Sequence, residues 1–247
     1  MKADPFVQLK LLDLQELDSA LHRLSVRRES LPVFETIDVA EAELAAARGE
    51  LVEHQTQVSD QGRAAAKLEA DIEQVRSRAA RDRQRLDSGA ITNSKELESL
   101  QSELESLARR QSSLEDDELE ILEIREQAEH AAARTQESIV QVEARLAAAV
   151  AERDQELSAI DAERAGVTGR RGELVATLPA DLVALYDRLR ADRGGVGAAA
   201  LRRRRCEGCH LELAGNDLVE VRDAAPDDVL RHEDCGRILV RTADSGL

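Results

Sequence analysis

Residues 37–86 read IDVAEAELAAARGELVEHQTQVSDQGRAAAKLEADIEQVRSRAARDRQRL, and every seventh position from Leu44 onward is apolar: Leu44, Leu51, Val58, Ala65, Ile72, Ala79 and Leu86. A seven-residue apolar repeat sustained over so many turns keeps one seam of a helix facing a partner helix. The stretch therefore predicts a coiled coil rather than a helix of a globular core. Composition agrees, with three aromatic residues (Phe6, Phe34 and Tyr186) and 34% charged residues in a chain of 247. Few large side chains and many charges suit long paired helices.

Toward the N-terminus, Leu14, Leu17, Leu21 and Leu24 alternate by three and four and predict a first helix over about 6–31. Pro32 has no amide donor and biases Leu31 away from helical geometry, so the chain stops or kinks there before a second helix over 37–87. Beyond it, residues 87–94 (DSGAITNS) carry turn chemistry, and Asn93 with Glu96 three positions on resembles a capping box. A third helix over 93–178 repeats Leu97, Leu100, Leu104, Leu107, Leu114 and Ile121. It weakens at Ala128 and Ala132, then resumes through Ile139, Val142, Leu146, Ile160, Val167 and Leu174.

At ~1.5 Å per residue the second helix spans about 75 Å and the third about 125 Å, so the first helix is needed to supply the missing partner length. The expected fold is mainly α: a long antiparallel coiled-coil helical hairpin over 1–178 with its tip at 87–94. Gln111, Glu118, Arg125 and Arg153 interrupt the seam and should fix register at a cost in stability. Gly166, Gly169 and Gly172 weaken the end of the third helix and make it a candidate hinge. Pro179 suits the first turn of a short helix within 179–195. Residues 196–247 read as a small β domain, with strand-like runs at Val196–Leu201, Leu218–Arg222 and Ile238–Arg241.

That last segment holds all three cysteines, as Cys206-Glu-Gly-Cys209 and, 22 residues later, His232-Glu-Asp-Cys235. Two short pairs of soft ligands separated by a loop let two chain turns close on one tetrahedral Zn²⁺. About fifty residues bury too little apolar surface to fold comfortably alone, and a metal cross-link meets that deficit. Three thiolates and an imidazole fill the shell, which marks one structural Zn²⁺ held by Cys206, Cys209, His232 and Cys235, with no open position for catalysis. His210 competes for the fourth place but adjoins Cys209, whereas His232 repeats the spacing of the first pair; a solvent-facing strand position is expected for His210. Gly208 and Gly236 should serve the tight turns.

Arg202, Arg203, Arg204 and Arg205 run into the first pair, with Arg188, Arg190 and Arg193 just before them and Asp192 the single acid of residues 188–205. This locally basic stretch stands in a chain of net charge −16. It reads either as a phosphate-contacting patch for RNA or DNA, or as arginines paired with Glu207, Glu212, Asp217, Glu220, Asp223, Asp227 and Asp228. The overall charge argues against coating DNA or an anionic membrane. No apolar run is long enough to span a bilayer and no secretory signal opens the chain, so a cytoplasmic location is expected, in keeping with thiols used as metal ligands. The chain has no zinc-protease helix, phosphate loop or nucleophile elbow, and no catalytic residue is assigned.

The two parts together resemble the bacterial C4-type zinc-ribbon proteins, in which a long coiled-coil hairpin precedes a C-terminal zinc ribbon. The resemblance rests on residues 91–104 (ITNSKELESLQSEL), 179–186 (PADLVALY), 206–213 (CEGCHLEL) and 235–239 (CGRIL). Family members usually have cysteine where this chain has His232 and commonly proline where it has Glu233. The departure implies a Cys3His site, or a weakened one if His232 does not reach the metal. The resemblance implies an adaptor or chaperone role; relatives have been linked to flagellar regulation, an alternative sigma factor, secretion components and, in one branch, messenger RNA. The expected function is a non-enzymatic interaction protein, with the coiled coil for protein partners and the ribbon for nucleic acid or a nucleic-acid-associated protein. A purely structural scaffold with the ribbon as a folded cap is the alternative, and a zinc hydrolase a distant third. A hairpin satisfies its own seam, so a monomer is the default, with Leu9, Leu12, Leu68 and Leu122 as the residues that would support a dimer.

Overall fold

The structure is a computed structural model and describes residues 1–89, 91–213 and 215–247. Ala90, within the expected tip, and Ala214, within the expected ribbon, lie outside the described residues. Three helices carry most of the chain: α1 (Pro5–Glu29), α2 (Val33–Asp87) and α3 (Ser94–Val175). The Asp4 carboxylate opens α1 by accepting the Phe6 N–H at 2.8 Å. Ser30 closes it, donating both its N–H and its hydroxyl to the Val26 carbonyl. Pro32 separates α1 from α2, as its missing donor requires. Asn93 caps α3, its side chain accepting the Lys95 N–H at 3.0 Å, while Glu96 reaches toward Arg85 at 3.9 Å. The coiled-coil reading holds, and α3 passes Gly166, Gly169 and Gly172 without a break.

The chain divides into two compact units, Glu35–Val150 and Met1–Phe34 with Ala151–Leu247. In the first, α2 and α3 run antiparallel: partners of Glu43, Arg48, Arg76 and Arg78 are Arg145, Glu143, Glu115 and Glu103, one number falling as the other rises. Ala40, Leu44, Ile139 and Val142 form a buried cluster between them, and Leu51 and Leu146 pack against it. The seam supplies the stability, since exposed ion pairs of this kind contribute about 0–1 kcal/mol each. Among the polar seam positions, Gln111 donates to Glu115 at 2.8 Å. That bond first, and Arg76 second, hold the Glu115 carboxyl below its ordinary range.

In the second unit α1 lies antiparallel to the end of α3, pairing Asp18 with Arg171 at 2.7 Å and Arg27 with Glu156 at 2.7 Å. There follow α4 (Ala180–Asp192), β1 (Ala198–Arg202), β2 (Arg205–Cys206), α5 (Gly215–Asp223), β3 (Leu230–Arg231) and β4 (Ile238–Arg241). The sheet order is β2-β1-β4-β3. The central pair β1 and β4 is parallel and both outer pairs are antiparallel. Leu11 and Leu14 of α1, Leu182, Tyr186 and Leu189 of α4, and Ala198, Ile238 and Val240 of the sheet share one buried core. The N-terminus joins this unit as well: Ala3 donates to the Asp227 carbonyl at 2.8 Å, and Val229 to that of Met1 at 3.1 Å. Leu9 and Leu122 are exposed, whereas Leu12 and Leu68 are half-buried.

The strand expected at Leu218–Arg222 is instead part of helix α5. Leu218 and Val221, three apart, fall on one helical face and pack into the ribbon core, and Asp217 in the first turn complements the helix dipole. A five-residue run is too short for alternation to distinguish the two periods.

Polar side chains on α1 fix how this unit assembles. The Asp18 carboxylate, 1% exposed, accepts from Arg171 Nε at 2.7 Å, the Tyr186 hydroxyl at 2.8 Å and Arg190 Nη1 at 3.0 Å. One turn earlier, Gln15 accepts the Gly197 N–H at 2.7 Å and donates to the Gly195 carbonyl at 2.9 Å. Together they tie α1 to α3, to α4 and to the chain entering β1. Removing Asp18 would leave buried donors unmatched, so Asp18→Ala should cost about 3 kcal/mol in denaturant unfolding, against about 1 kcal/mol for Tyr186→Phe. Burial, and then the bond to Asp18, push ionisation of Tyr186 far above its usual value of 10.0. The folded state therefore keeps this proton where the unfolded state loses it. The contribution is complete below about pH 10 and declines as pH rises further, and Tyr186→Phe should flatten that decline in urea titrations.

Candidate metal centre

Two chain turns build the site in the same way. The His210 N–H bonds the Cys206 carbonyl at 2.7 Å, and the Gly236 N–H bonds the His232 carbonyl at 2.8 Å. Each turn thus closes across five residues and presents its first and fourth side chains to a common point. His210 and Gly236 hold equivalent places, each following the second ligand position with left-handed backbone, φ 60° and 69°. His210 is exposed, lies outside any strand and is not among the converging donors. Its role is to close the turn, and the strand expected there is corrected accordingly. Gly208 is needed for a different reason from the one the sequence suggests: a Cβ there would stand 2.8 Å from Arg237 Cδ and 2.9 Å from Ala199 Cβ.

The donor atoms of Cys206, Cys209, His232 and Cys235 all lie within 4.8 Å of one another. Nδ1 of His232 is the nitrogen that faces the thiols, 3.3 Å from Cys235 Sγ and 3.5 Å from Cys209 Sγ. A tetrahedral ion with Zn–S of about 2.3 Å and Zn–N of about 2.0 Å requires N···S edges of roughly 3.5 Å, so the imidazole stands where a zinc ligand must. His232 reaches the point that a fourth cysteine would occupy. Its side chain is 1% exposed, and Nε2 is 3.9 Å from the Asp234 carboxylate. Three thiolates and one imidazole suit one structural zinc, which would cross-link β2 to the turn after β3 and supply no open coordination position.

The surroundings separate the thiols. Burial pushes Cys206 up to about 11. At Cys235 burial acts in the same direction, but donors from the Arg237 backbone and guanidinium, from Cys209 and from His232 outweigh it and hold the thiol down to about 7. A bound zinc would draw all three into the thiolate form. Arg237, unremarked in the sequence, also bonds the Val196 and Arg193 carbonyls at 3.1 and 2.8 Å, joining the second turn to the end of α4.

The arginines divide. Arg202, Arg203, Arg204 and Arg205 are exposed in the tight turn between β1 and β2. Arg203 and Arg204 are both left-handed, with φ 47° and 63°. Their N–H groups bond the Asp244 and Ser245 carbonyls, each at 2.7 Å. Among the described residues no carboxylate comes within 4.0 Å of these four guanidinium groups. Arg190 instead serves the Asp18 cluster, Arg193 flanks Gly236, and Arg188 is exposed on α4.

Metal removal gives a direct check. A strong chelator should abolish the dispersed amide NMR signals of β1 to β4 while the helical circular-dichroism signal of α2 and α3 persists. His232→Ala should weaken zinc binding by more than about tenfold, and His232→Cys should retain it.

Comparison with known proteins matches this arrangement at both levels. Residues 14–194 match the CT398-like coiled coil hairpin domain, and residues 205–239 match a C4-type zinc ribbon domain. An uncharacterized protein of Mycobacterium tuberculosis, Rv2229c, is 39% identical over 241 residues, 98% of each chain. A Mycobacterium smegmatis structure is 35% identical, with a TM-score of 0.85 over 98% of this chain and 100% of that one. CT398 of Chlamydia trachomatis shares the fold, with a TM-score of 0.53 and 21% identity over 96% and 98% of the two chains. With both domain models matched in order along it, the chain belongs to the CT398-like coiled-coil hairpin family and ends in a C4-type zinc ribbon whose four metal positions hold three cysteines and one histidine.

Proposed function

We propose that this protein is a non-enzymatic adaptor whose coiled coil binds protein partners and whose zinc ribbon contacts nucleic acid, or a protein bound to it, through the turn Arg202–Arg205. The observation that carries the nucleic-acid half is that turn: four adjacent exposed guanidinium groups without a carboxylate partner among the described residues. Charges held this way are available to phosphates. The left-handed backbone at Arg203 and Arg204 supports the same reading, since bulky residues occupy that region at a cost and strained positions cluster at functional sites. Of the arginines preceding the turn, Arg188 is exposed and has no ion pair among the described residues, whereas Arg190 pairs with Asp18 and Arg193 flanks Gly236.

The zinc in this reading is structural, and the work of the ribbon is done on its surface. No described helix is long and apolar enough to cross a membrane, and a cytoplasmic, monomeric adaptor is the form in which we place it. The scaffold alternative assigns the ribbon to folding alone, and is supported by the core that the sheet shares with α1 and α4.

RNA and DNA oligonucleotide binding at low salt separates the two. The adaptor reading predicts binding whose logarithm falls linearly with the logarithm of salt, and a shallower slope with weaker affinity when Arg202 to Arg205 become Ser. Absent binding, or binding indifferent to the four substitutions, would leave the scaffold.

A further inference from the structure

The β1 to β2 connection is a two-residue hairpin turn in which Arg202 pairs with Arg205 and the central residues, Arg203 and Arg204, are both left-handed. Turns with positive φ at both central positions are ordinarily filled by Asn-Gly or Gly-Gly, which adopt it at little steric cost. Two arginines there need outside support, and residues 242–246 supply it. The Asp244 and Ser245 carbonyls accept the Arg203 and Arg204 N–H groups. Buried Ser245 in turn donates its hydroxyl to the Leu201 carbonyl at 3.0 Å and accepts the Thr242 N–H at 2.8 Å. The turn is thus held in one shape before any ligand arrives.

Within it the four guanidinium groups are not equivalent. Arg204 Nε donates to the Gly246 carbonyl at 3.0 Å, and Arg205 Nε donates to the His210 carbonyl, which belongs to the first metal turn. Each of these two exposed side chains is anchored through its inner nitrogen, which leaves the outer Nη edge of the head unbonded and fixed in direction. Such a fork matches two oxygens of a phosphate, and little side-chain freedom remains to be lost on binding. Arg202 and Arg203 make no side-chain hydrogen bond among the described residues. Glu207 and Glu212 line one surface with Arg202, Arg203 and Arg205 and offset part of its attraction for anions. Placement of the heads, more than summed charge, must therefore select the contacts.

We propose, resting on the nucleic-acid reading of this turn, that Arg204 and Arg205 are the residues that grip phosphate in bidentate fashion, while Arg202 and Arg203 supply charge without fixed geometry. Lysine keeps the charge but lacks the planar fork, so paired substitutions separate the two roles.

Salt-dependent oligonucleotide binding by the zinc-loaded full chain is the test. Arg204→Lys/Arg205→Lys should bind about tenfold more weakly than Arg202→Lys/Arg203→Lys, with both salt slopes close to that of the unsubstituted chain because no charge is lost. Zinc content and the dispersed amide signals of β1 to β4 verify that each variant is folded. In the unsubstituted chain, NMR titration with inorganic pyrophosphate should move the Arg204 and Arg205 Nε–H signals more than those of Arg202 and Arg203. Equal weakening by the two lysine pairs, or pyrophosphate shifts spread evenly over the four arginines, would overturn the assignment. A chain that bound no oligonucleotide while pyrophosphate still moved Arg204 and Arg205 would retain the two-residue grip and lose the nucleic-acid reading, so the two failures are distinguishable.

Discussion

Two turns of chain must meet at one point for the C-terminal part of this protein to exist as a sheet. Its outer strands, Arg205–Cys206 and Leu230–Arg231, have two residues each, far fewer than an outer strand needs to hold its place by backbone bonds alone. The cysteines and histidine that end or follow those strands supply what the strands lack. Cys206 closes β2 and His232 follows β3 directly, so a metal gripping both pins each outer strand to β1 and β4. The equivalent hydrogen bonds behind the two turns, and the left-handed His210 and Gly236 that permit them, are consequences of that constraint.

From the metal outward, the sheet also completes a larger core. Ala198, Ile238 and Val240 press against α1 and α4, and the buried Asp18 carboxylate collects Arg171, Tyr186 and Arg190 beneath them. A buried ion is tolerated only when its oxygens are well matched, and here the donors come from two helices, Arg171 from α3 and Tyr186 with Arg190 from α4. Four arginines crowd the β1 to β2 turn, and Arg202, Arg203 and Arg205 share that surface with Glu207 and Glu212.

The long helices were legible because their signal repeats. Leu44, Ile72, Leu114, Ile139, Val142 and Ile160 follow a seven-residue spacing that no other architecture would sustain, and all are buried. The metal positions were legible for a related reason, since cysteines are rare and their spacing is chemically restricted. Helix α5 was not, because Leu218-Val-Glu-Val-Arg222 offers too few positions to tell a helical face from alternation. Nor were Gln15 and Asp18, polar residues that no apolar repeat or metal-ligand spacing singles out. Arg190 read as part of a basic patch for the same reason: sequence counts charges, whereas only the fold brings Asp18 to it from 172 positions away.

The central claim is that the metal shell is closed and composed of three sulfurs and one nitrogen. X-ray absorption at the zinc edge of the purified chain tests it directly. The account predicts one zinc per chain with three sulfur neighbours at about 2.3 Å and one nitrogen at about 2.0 Å. A shell with fewer than three sulfurs, or with an additional oxygen from water, would contradict it.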